Sequence, residues 1–308
     1  MVKHEDVEFK TADGILLRGR LFPAELRGPG VVMIPGLNAT KEMLGLANTA
    51  AAFQAAGITA LIYDPRGIGL SEGFPRNDIN PFRDVDDISD ALFFLNSSPA
   101  VDPRRGVGLW GMSLGGTVAM VSAALDPRVR FVVAVCPATE PTHNITKLRP
   151  LLAKASKDRE SRIKGNEPFY VPMLDKNGEN PAGFHPGFEH EAIMRLLHAQ
   201  DETNPLRASL APNHVNRTTV GSYRYLLMWD MQHMWQYLTQ PILFVVPEKD
   251  QMIGLEKQVQ HYELLTGPKR LHVQKGAAHM DILEGPSQLE VNQAQIEFVS
   301  DVLGGKFA

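Results

Sequence analysis

The sequence predicts an α/β protein: a mostly parallel central sheet with helices on both faces and an inserted subdomain. Three observations carry this reading. Short apolar runs alternate with stretches of helical periodicity through the first 137 residues, the pattern of right-handed crossovers in a sheet covered on both sides. The rhythm stops after Pro137 and resumes at Pro241. A Gly-x-Ser-x-Gly pentapeptide, Gly111 to Gly115, lies where one strand should turn into a helix.

The elements follow in order. Val7–Lys10 and Ile15–Phe22 flank Asp13-Gly14, a hairpin turn signal. Gly30–Ile34, ended by Pro35-Gly36, is a buried strand running into a loop. Lys41–Ala56 has apolar residues at helical spacing, and Gly57 supplies the stop. Ile58–Tyr63 is the next strand, followed by a turn-rich loop through Pro81 and a helix over Val85–Leu95. Gly106–Trp110 is a strand, Leu114–Leu125 a helix and Val129–Val135 a strand. From Ala138 to about Leu238 the chain is rich in Pro, Gly, His and Asn, with a helical patch at Glu189–His198. The pattern returns with a strand at Pro241–Val246 and a helix at Gly254–Thr266. A short strand at Leu271–Val273 and a helix at Leu289–Leu303 complete it. Residues 1–137 and 239–308 are therefore expected to form one core, with 138–238 as an inserted cap.

The whole chain narrows the function classes. A net charge of −4 and a pI near 6.2 leave no basic footprint for nucleic acid. No apolar window approaches a membrane span, and the charged start lacks a secretory leader. The single cysteine, Cys136, cannot form an internal disulfide, which fits a reducing, cytoplasmic setting. It ends a buried strand and is expected to be a small core residue.

The chemistry centres on Ser113. A serine on a sharp strand-to-helix turn lifts its hydroxyl above the sheet edge, and glycines at 111 and 115 let strand and helix approach closely. The helix N-terminus adds partial positive charge where an oxyanion would form. Such a hydroxyl needs a general base. Of ten histidines, only His279 falls on a loop above the strand ends, between the last predicted strand and the last helix. His185, His190 and His198 lie in the irregular segment, and His261 is expected on a helix surface. Asp250, just past the strand ending at Val246, is placed to hold the imidazole, with Glu248 as its rival. Two backbone amides should receive the oxyanion: Leu114, after the serine, and Leu37, in the loop after the third strand.

Other motifs read as structural. Gly67-Ile68-Gly69 lacks the third glycine of a dinucleotide fingerprint, so Asp64 and Arg66 are expected to pair or to satisfy backbone groups there. His185-Pro-Gly-Phe-Glu-His190 has one residue too many for an inverted zinc motif, and neither metal nor cofactor is expected. The Met- and aromatic-rich run Tyr223–Tyr237 is expected to pack, with some of it a candidate lining for an apolar acyl pocket.

Asp64-Pro65-Arg66-Gly67-x-Gly69-x-Ser71, Gly111–Gly115, Pro247-Glu248-Lys249-Asp250 and Gly276-Ala277-Ala278-His279 together resemble the α/β-hydrolase superfamily across nearly the whole chain. The order Ser, Asp, His is that family's order. Pro35-Gly36 departs from its usual His-Gly loop opening, a tolerable change where backbone amides donate. His4–Gly14, Ala39–Glu42 and Gly267–Leu271 are similar to the fungal polyketide transferase and thiohydrolase branch. The resemblance implies a serine acyl-enzyme that releases or transfers a thioester-bound polyketide acyl chain, a small-molecule substrate carried in the cell by a carrier protein. An ester, lactone or C–C bond hydrolase remains an alternative, as does a non-catalytic ligand-binding or scaffold protein of the same fold.

Overall fold

The computed structural model describes residues 3–140, 143–183 and 213–307. The predicted patch Glu189–His198, with His185, lies outside the described residues.

Ten strands and seven α-helices follow in the described chain. They are β1 (Glu5–Lys10), β2 (Leu16–Phe22), β3 (Gly30–Ile34), α1 (Leu46–Ala55), β4 (Thr59–Tyr63) and α2 (Pro81–Asn96). Next come β5 (Val107–Met112), α3 (Leu114–Leu125), β6 (Val129–Val135), α4 (Ile145–Ile163), β7 (Tyr170–Val171), β8 (Thr218–Thr219) and α5 (Ser222–Met228). A 3-10 helix at Gln232–Tyr237 precedes β9 (Ile242–Pro247), α6 (Leu255–Glu263), β10 (Lys269–Gln274) and α7 (Ser287–Leu303).

Eight strands make one sheet in the order β1-β2-β4-β3-β5-β6-β9-β10. Only β1 with β2 and β2 with β4 pair antiparallel; the other pairs are parallel. Strand alternation splits the core into two layers. Val32, Leu61, Leu109, Val132 and Phe244 face α2 and α3, whereas Met33, Ile62, Trp110, Val133 and Leu243 face α1 and α7. β3, β4 and β9 are buried throughout and, apart from Thr59, carry no polar side chain, as their sequence runs imply. The strand order reverses direction between β3 and β5. Their carboxyl ends therefore flank a crevice where a ligand can sit.

The structure corrects several boundaries. Lys41–Gly45 is not helical: Gly45 adopts φ 68° and α1 starts at Leu46. Lys41 instead turns into the interior, its Nζ 2.7 Å from Asp64. Asp64 and Arg66 do not pair with each other; the other alternative holds for Asp64, which satisfies backbone groups, while Arg66 finds other carboxylates. Asp64 also accepts from the Lys41 and Leu70 amides, while Arg66 bridges Asp13 and Asp87. α2 begins at Pro81 rather than Val85, because Asn80 caps it from its side chain and proline suits the first turn.

Between β6 and β9, which pair directly, stands the segment whose rhythm broke. It contains α4, a 19-residue helix that sequence pattern missed. Asn144 caps α4 through the Thr146 and Lys147 amides, but Pro150 and a run of exposed bases obscure its buried stripe, Leu148, Leu151, Ala155 and Asp158. β7 and β8 form a separate two-stranded antiparallel sheet. Among the described residues no helix is long and apolar enough to cross a membrane.

Candidate active site

Ser113 sits between β5 and α3 with φ 54° and ψ −121°, a conformation costly for any side-chain-bearing residue. Close packing around it explains the glycines. A Cβ on Gly111 would stand 2.1 Å from the Gly115 oxygen, and one on Gly115 would stand 2.3 Å from the Pro35 oxygen. Backbone bonds fix the turn: Ser113 N–H donates to Val135 O at 2.9 Å, and Ser113 O accepts from Gly116 and Ala138.

The three residues singled out from sequence meet here. His279 Nε2 lies 3.0 Å from Ser113 Oγ, and His279 Nδ1 lies 2.9 Å from Asp250 Oδ2. All three are buried. Since an ionised carboxylate only accepts, Nδ1 carries the proton toward Asp250 and Nε2 is left to accept from the serine hydroxyl. The loops after β9 and β10 hold this geometry by bonding to each other. Lys249 N–H donates to Ala277 O at 2.8 Å, and Gly276 N–H donates to Glu248 Oε2 at 2.8 Å. Glu248, the rival for the third position, is thus an exposed loop tie.

Asp250 is fully engaged. Oδ1 accepts from the Met252 and Ile253 amides, and Oδ2 accepts from Gln258 Nε2 at 3.0 Å as well as from His279. Burial pushes its pKa up, but the His279 contact and the two amides outweigh that and keep it ionised, below the usual carboxylate value. For His279 burial pulls the pKa downward, and the Asp250 carboxylate beside Nδ1 opposes that pull. Cys136 is buried beside the same ring, Sγ 4.0 Å from Nε2. Burial raises its pKa, so it is a neutral thiol at neutral pH and not a competing nucleophile.

Leu114 follows the serine at the start of α3, and Leu37 lines the same pocket as Ser113. A Cβ on Gly36 would come within 3.3 Å of Ser113 Cβ, which shows how closely the loop after β3 approaches. Lys41, buried against Asp64, fastens the far end of that loop to the end of β4.

Above Ser113 and His279 opens an apolar pocket with about 520 Å³ of empty space, part of it open to solvent. Five methionines line it: Met43, Met112, Met173, Met252 and Met280. Leu37, Leu174 and His214 complete much of its wall. Burial lowers the His214 pKa to about 4, so it is neutral at ordinary pH. The Tyr223–Tyr237 run packs as expected, with Tyr223, Trp229 and Trp235 in the core and Trp229 Nε1 bonded to Thr117, and the candidate acyl lining within it is not part of this pocket. One expectation fails. His261 is not on the surface but buried, 2.6 Å from Thr139 Oγ1. Sequence reading missed Met173, Leu174, His214 and Gln258. Scattered methionines in an irregular stretch carry no period, and only their place between two core strands hinted at a role. Among the described residues no group of three or more His, Cys, Asp or Glu side chains gathers as a metal site.

Comparison with known proteins settles the family. The family model described as "Serine aminopeptidase, S33" matches residues 29–286. The chain belongs to this α/β-hydrolase family. The hydrolase is 41% identical to a thiohydrolase of Arthrinium phaeospermum over 96% of both chains. It is 40% identical to a thiohydrolase of Eupenicillium brefeldianum over 90% of this chain and 87% of the other, and 37% identical to a polyketide transferase of Penicillium crustosum over 99% of both. Among solved structures, the hydrolase superposes on DcsB in complex with a substrate analogue with TM-score 0.88 and 36% identity, covering 97% and 99% of the two chains. GrgF from Penicillium sp. sh18 gives 0.85 and 36%, covering 98% and 99%. The hydrolase is therefore an enzyme of the fungal thiohydrolase and polyketide transferase branch.

Proposed function

We propose that this hydrolase releases or transfers an apolar, polyketide-like acyl chain from a thioester through an ester on Ser113, with Asp250 and His279 completing the catalytic triad. The observation that carries the reading is the continuous hydrogen-bonded line Ser113–His279–Asp250 beneath a methionine-lined pocket. The names of the relatives support the thioester and the polyketide.

The steps follow from the geometry. Ser113 Oγ attacks the thioester carbonyl as its proton passes to His279 Nε2. The oxyanion is received by the Leu37 and Leu114 amides, neither of which has another hydrogen-bond partner among the described residues. Collapse breaks the C–S bond, and His279 returns the proton to the departing thiolate sulfur. Water or an alcohol then attacks the ester, giving its proton to His279. The acid or new ester leaves, and the proton goes back to Ser113. Asp250 stays ionised throughout and balances the transient imidazolium. Residues 138–238 act as the cap: Met173, Leu174 and His214 form one wall of the acyl pocket and limit water near the ester. The acyl chain arrives as the thioester of a carrier protein.

Octanoyl N-acetylcysteamine thioester and octanoyl p-nitrophenyl ester, tested side by side, examine this. Intact mass should show an octanoyl adduct in the wild type and none in Ser113→Ala. The thioester should be preferred by about tenfold or more in kcat/KM, equivalent to ~1.4 kcal/mol. An adduct that persists in Ser113→Ala would move the nucleophile elsewhere, and a preference for the oxygen ester would favour a carboxylic ester hydrolase.

A further inference from the structure

The loop carrying Leu37 turns on Asn38, which adopts φ 54° and is almost wholly buried. Asparagine tolerates this region better than most residues, but backbone preference alone does not account for its side chain. Asn38 Nδ2 donates to Val215 O at 3.0 Å and lies 3.4 Å from His214 Nε2. Asn38 Oδ1 accepts from Asn77 Nδ2 at 3.1 Å. Asn77, with φ 53°, belongs to the loop after β4. Its own Oδ1 accepts from Arg217 Nε at 3.1 Å, its carbonyl accepts from Thr219 N–H at 3.0 Å, and its N–H donates to Gly67 O at 2.9 Å. Two left-handed asparagines therefore join three pieces of chain: the loop after β3, the loop after β4, and residues 214–219 of the segment between β6 and β9.

We infer that Asn38 is a positioning residue through which residues 214–219 hold the Leu37 amide in place, so that the oxyanion site is completed only when this part of the cap is seated. The inference rests on the proposed oxyanion role of Leu37. The physical reasoning is short. An oxyanion donor works by being fixed before the charge arrives, and the Leu37 amide is one residue from a side chain whose bonds run to the cap. At its far end the loop is fastened to the core by Lys41 and Asp64, so its cap-side end is set by Asn38. His214 lines the acyl pocket and adjoins Asn38, so the wall that touches substrate and the loop that receives charge share one connection.

Asn38→Gly is the informative variant, because glycine accepts the backbone angle at no steric cost while deleting every side-chain bond. Octanoyl N-acetylcysteamine thioester reports kcat and KM, and octylboronic acid, whose tetrahedral serine adduct mimics the oxyanion, reports the site itself. Asn38→Gly should lower kcat by about 10- to 100-fold and weaken octylboronic acid by a similar factor, with KM changed by less than about threefold. Arg217→Lys, which keeps the charge but loses the Nε donor to Asn77, should shift both quantities the same way by roughly 3- to 10-fold. Wild-type kcat and boronate affinity in a folded Asn38→Gly would overturn the inference, leaving only a backbone preference. A change confined to KM would overturn it too, placing Asn38 on substrate. If Asn38→Gly does not fold, Arg217→Lys decides: an unchanged kcat and boronate affinity overturn the inference. Failure of octylboronic acid to inhibit the wild type is the separate sign that the Ser113 and Leu37 reading itself is wrong.

Discussion

The core sheet and the 138–238 segment are held together by different physics. Ser113, Asp250 and His279 each lie within a few residues of the end of a strand; a backbone amide ties the loops bearing Asp250 and His279 to each other, and backbone amides tie the Ser113 turn to the end of β6. Those bonds are obligatory: a buried N–H left unpaired costs ~1–3 kcal/mol. Among its described residues the segment has only two-residue strands outside its helices. Much of its fastening uses side-chain amides, such as Asn180 to Met173 O and Asn216 to Leu174. Its wall of the pocket ends in methionine, leucine and histidine. The contrast teaches a division of labour. The groups proposed to react sit where the backbone leaves no choice, and the pocket wall proposed to meet the acyl chain sits where side chains can be exchanged. Thioether side chains suit that second role, since they adapt to irregular shapes.

The comparison can be broken from the core side first. Ser113→Ala should reduce kcat/KM by about a millionfold, with covalent labelling by a fluorophosphonate lost altogether. Asp250→Asn should lower kcat by about 10⁴-fold, because the amide no longer selects the useful imidazole tautomer. The same variant tests the electrostatics. Asp250 is one of the groups that raise the His279 pKa, and only the neutral ring accepts the serine proton. Activity in the wild type should therefore climb with pH as the ring loses its proton, and in Asp250→Asn, without the carboxylate that favours the protonated ring, the acid limb of kcat/KM against pH should move to lower pH. A limb that stays in place would remove the carboxylate from this role.

Gly111→Ala addresses the rigidity of the core. Its Cβ meets backbone at Gly115 rather than a movable side chain, so urea titration should show a loss of more than about 3 kcal/mol. On the segment side the effects should be milder and selective. Met173→Ala should lower kcat/KM for an octanoyl thioester by roughly 5- to 30-fold, about 1–2 kcal/mol, and spare an acetyl thioester. Equal losses on both would show that the segment supports the triad rather than the chain of the substrate. The smallest expected effect is at the exposed pair Lys147–Glu179. Lys147→Ala should shift Tm by less than about 2 °C, because surface ion pairs are screened and contribute ~0–1 kcal/mol.

The same contrast explains what could be read from sequence. Runs such as Gly30–Ile34 and Pro241–Val246 announce buried parallel strands because both their faces must be apolar; Ser113 and Asp250 stand just beyond such buried strands, whereas His279 follows the short, half-buried β10. Their separation along the chain, from residue 113 to residue 279, is bridged by sheet order alone. α4 was hidden because Pro150 and exposed bases blur its four-residue buried stripe. Lys41 looked like the start of a helix because its spacing fitted, while the side chain that decided the matter formed a buried ion pair with Asp64, a partner 23 positions away. Asn38 and His214 gave no local signal at all, since their meaning lies in a contact across 176 positions.

Five methionines lining one cavity should also make that cavity sensitive to peroxide. Each sulfur converted to a sulfoxide sets a polar, chiral group in the space proposed for the acyl chain. Under mild oxidant the enzyme should lose its grip on long aliphatic chains while the buried serine and imidazole keep their arrangement, and methionine sulfoxide reductases should restore it.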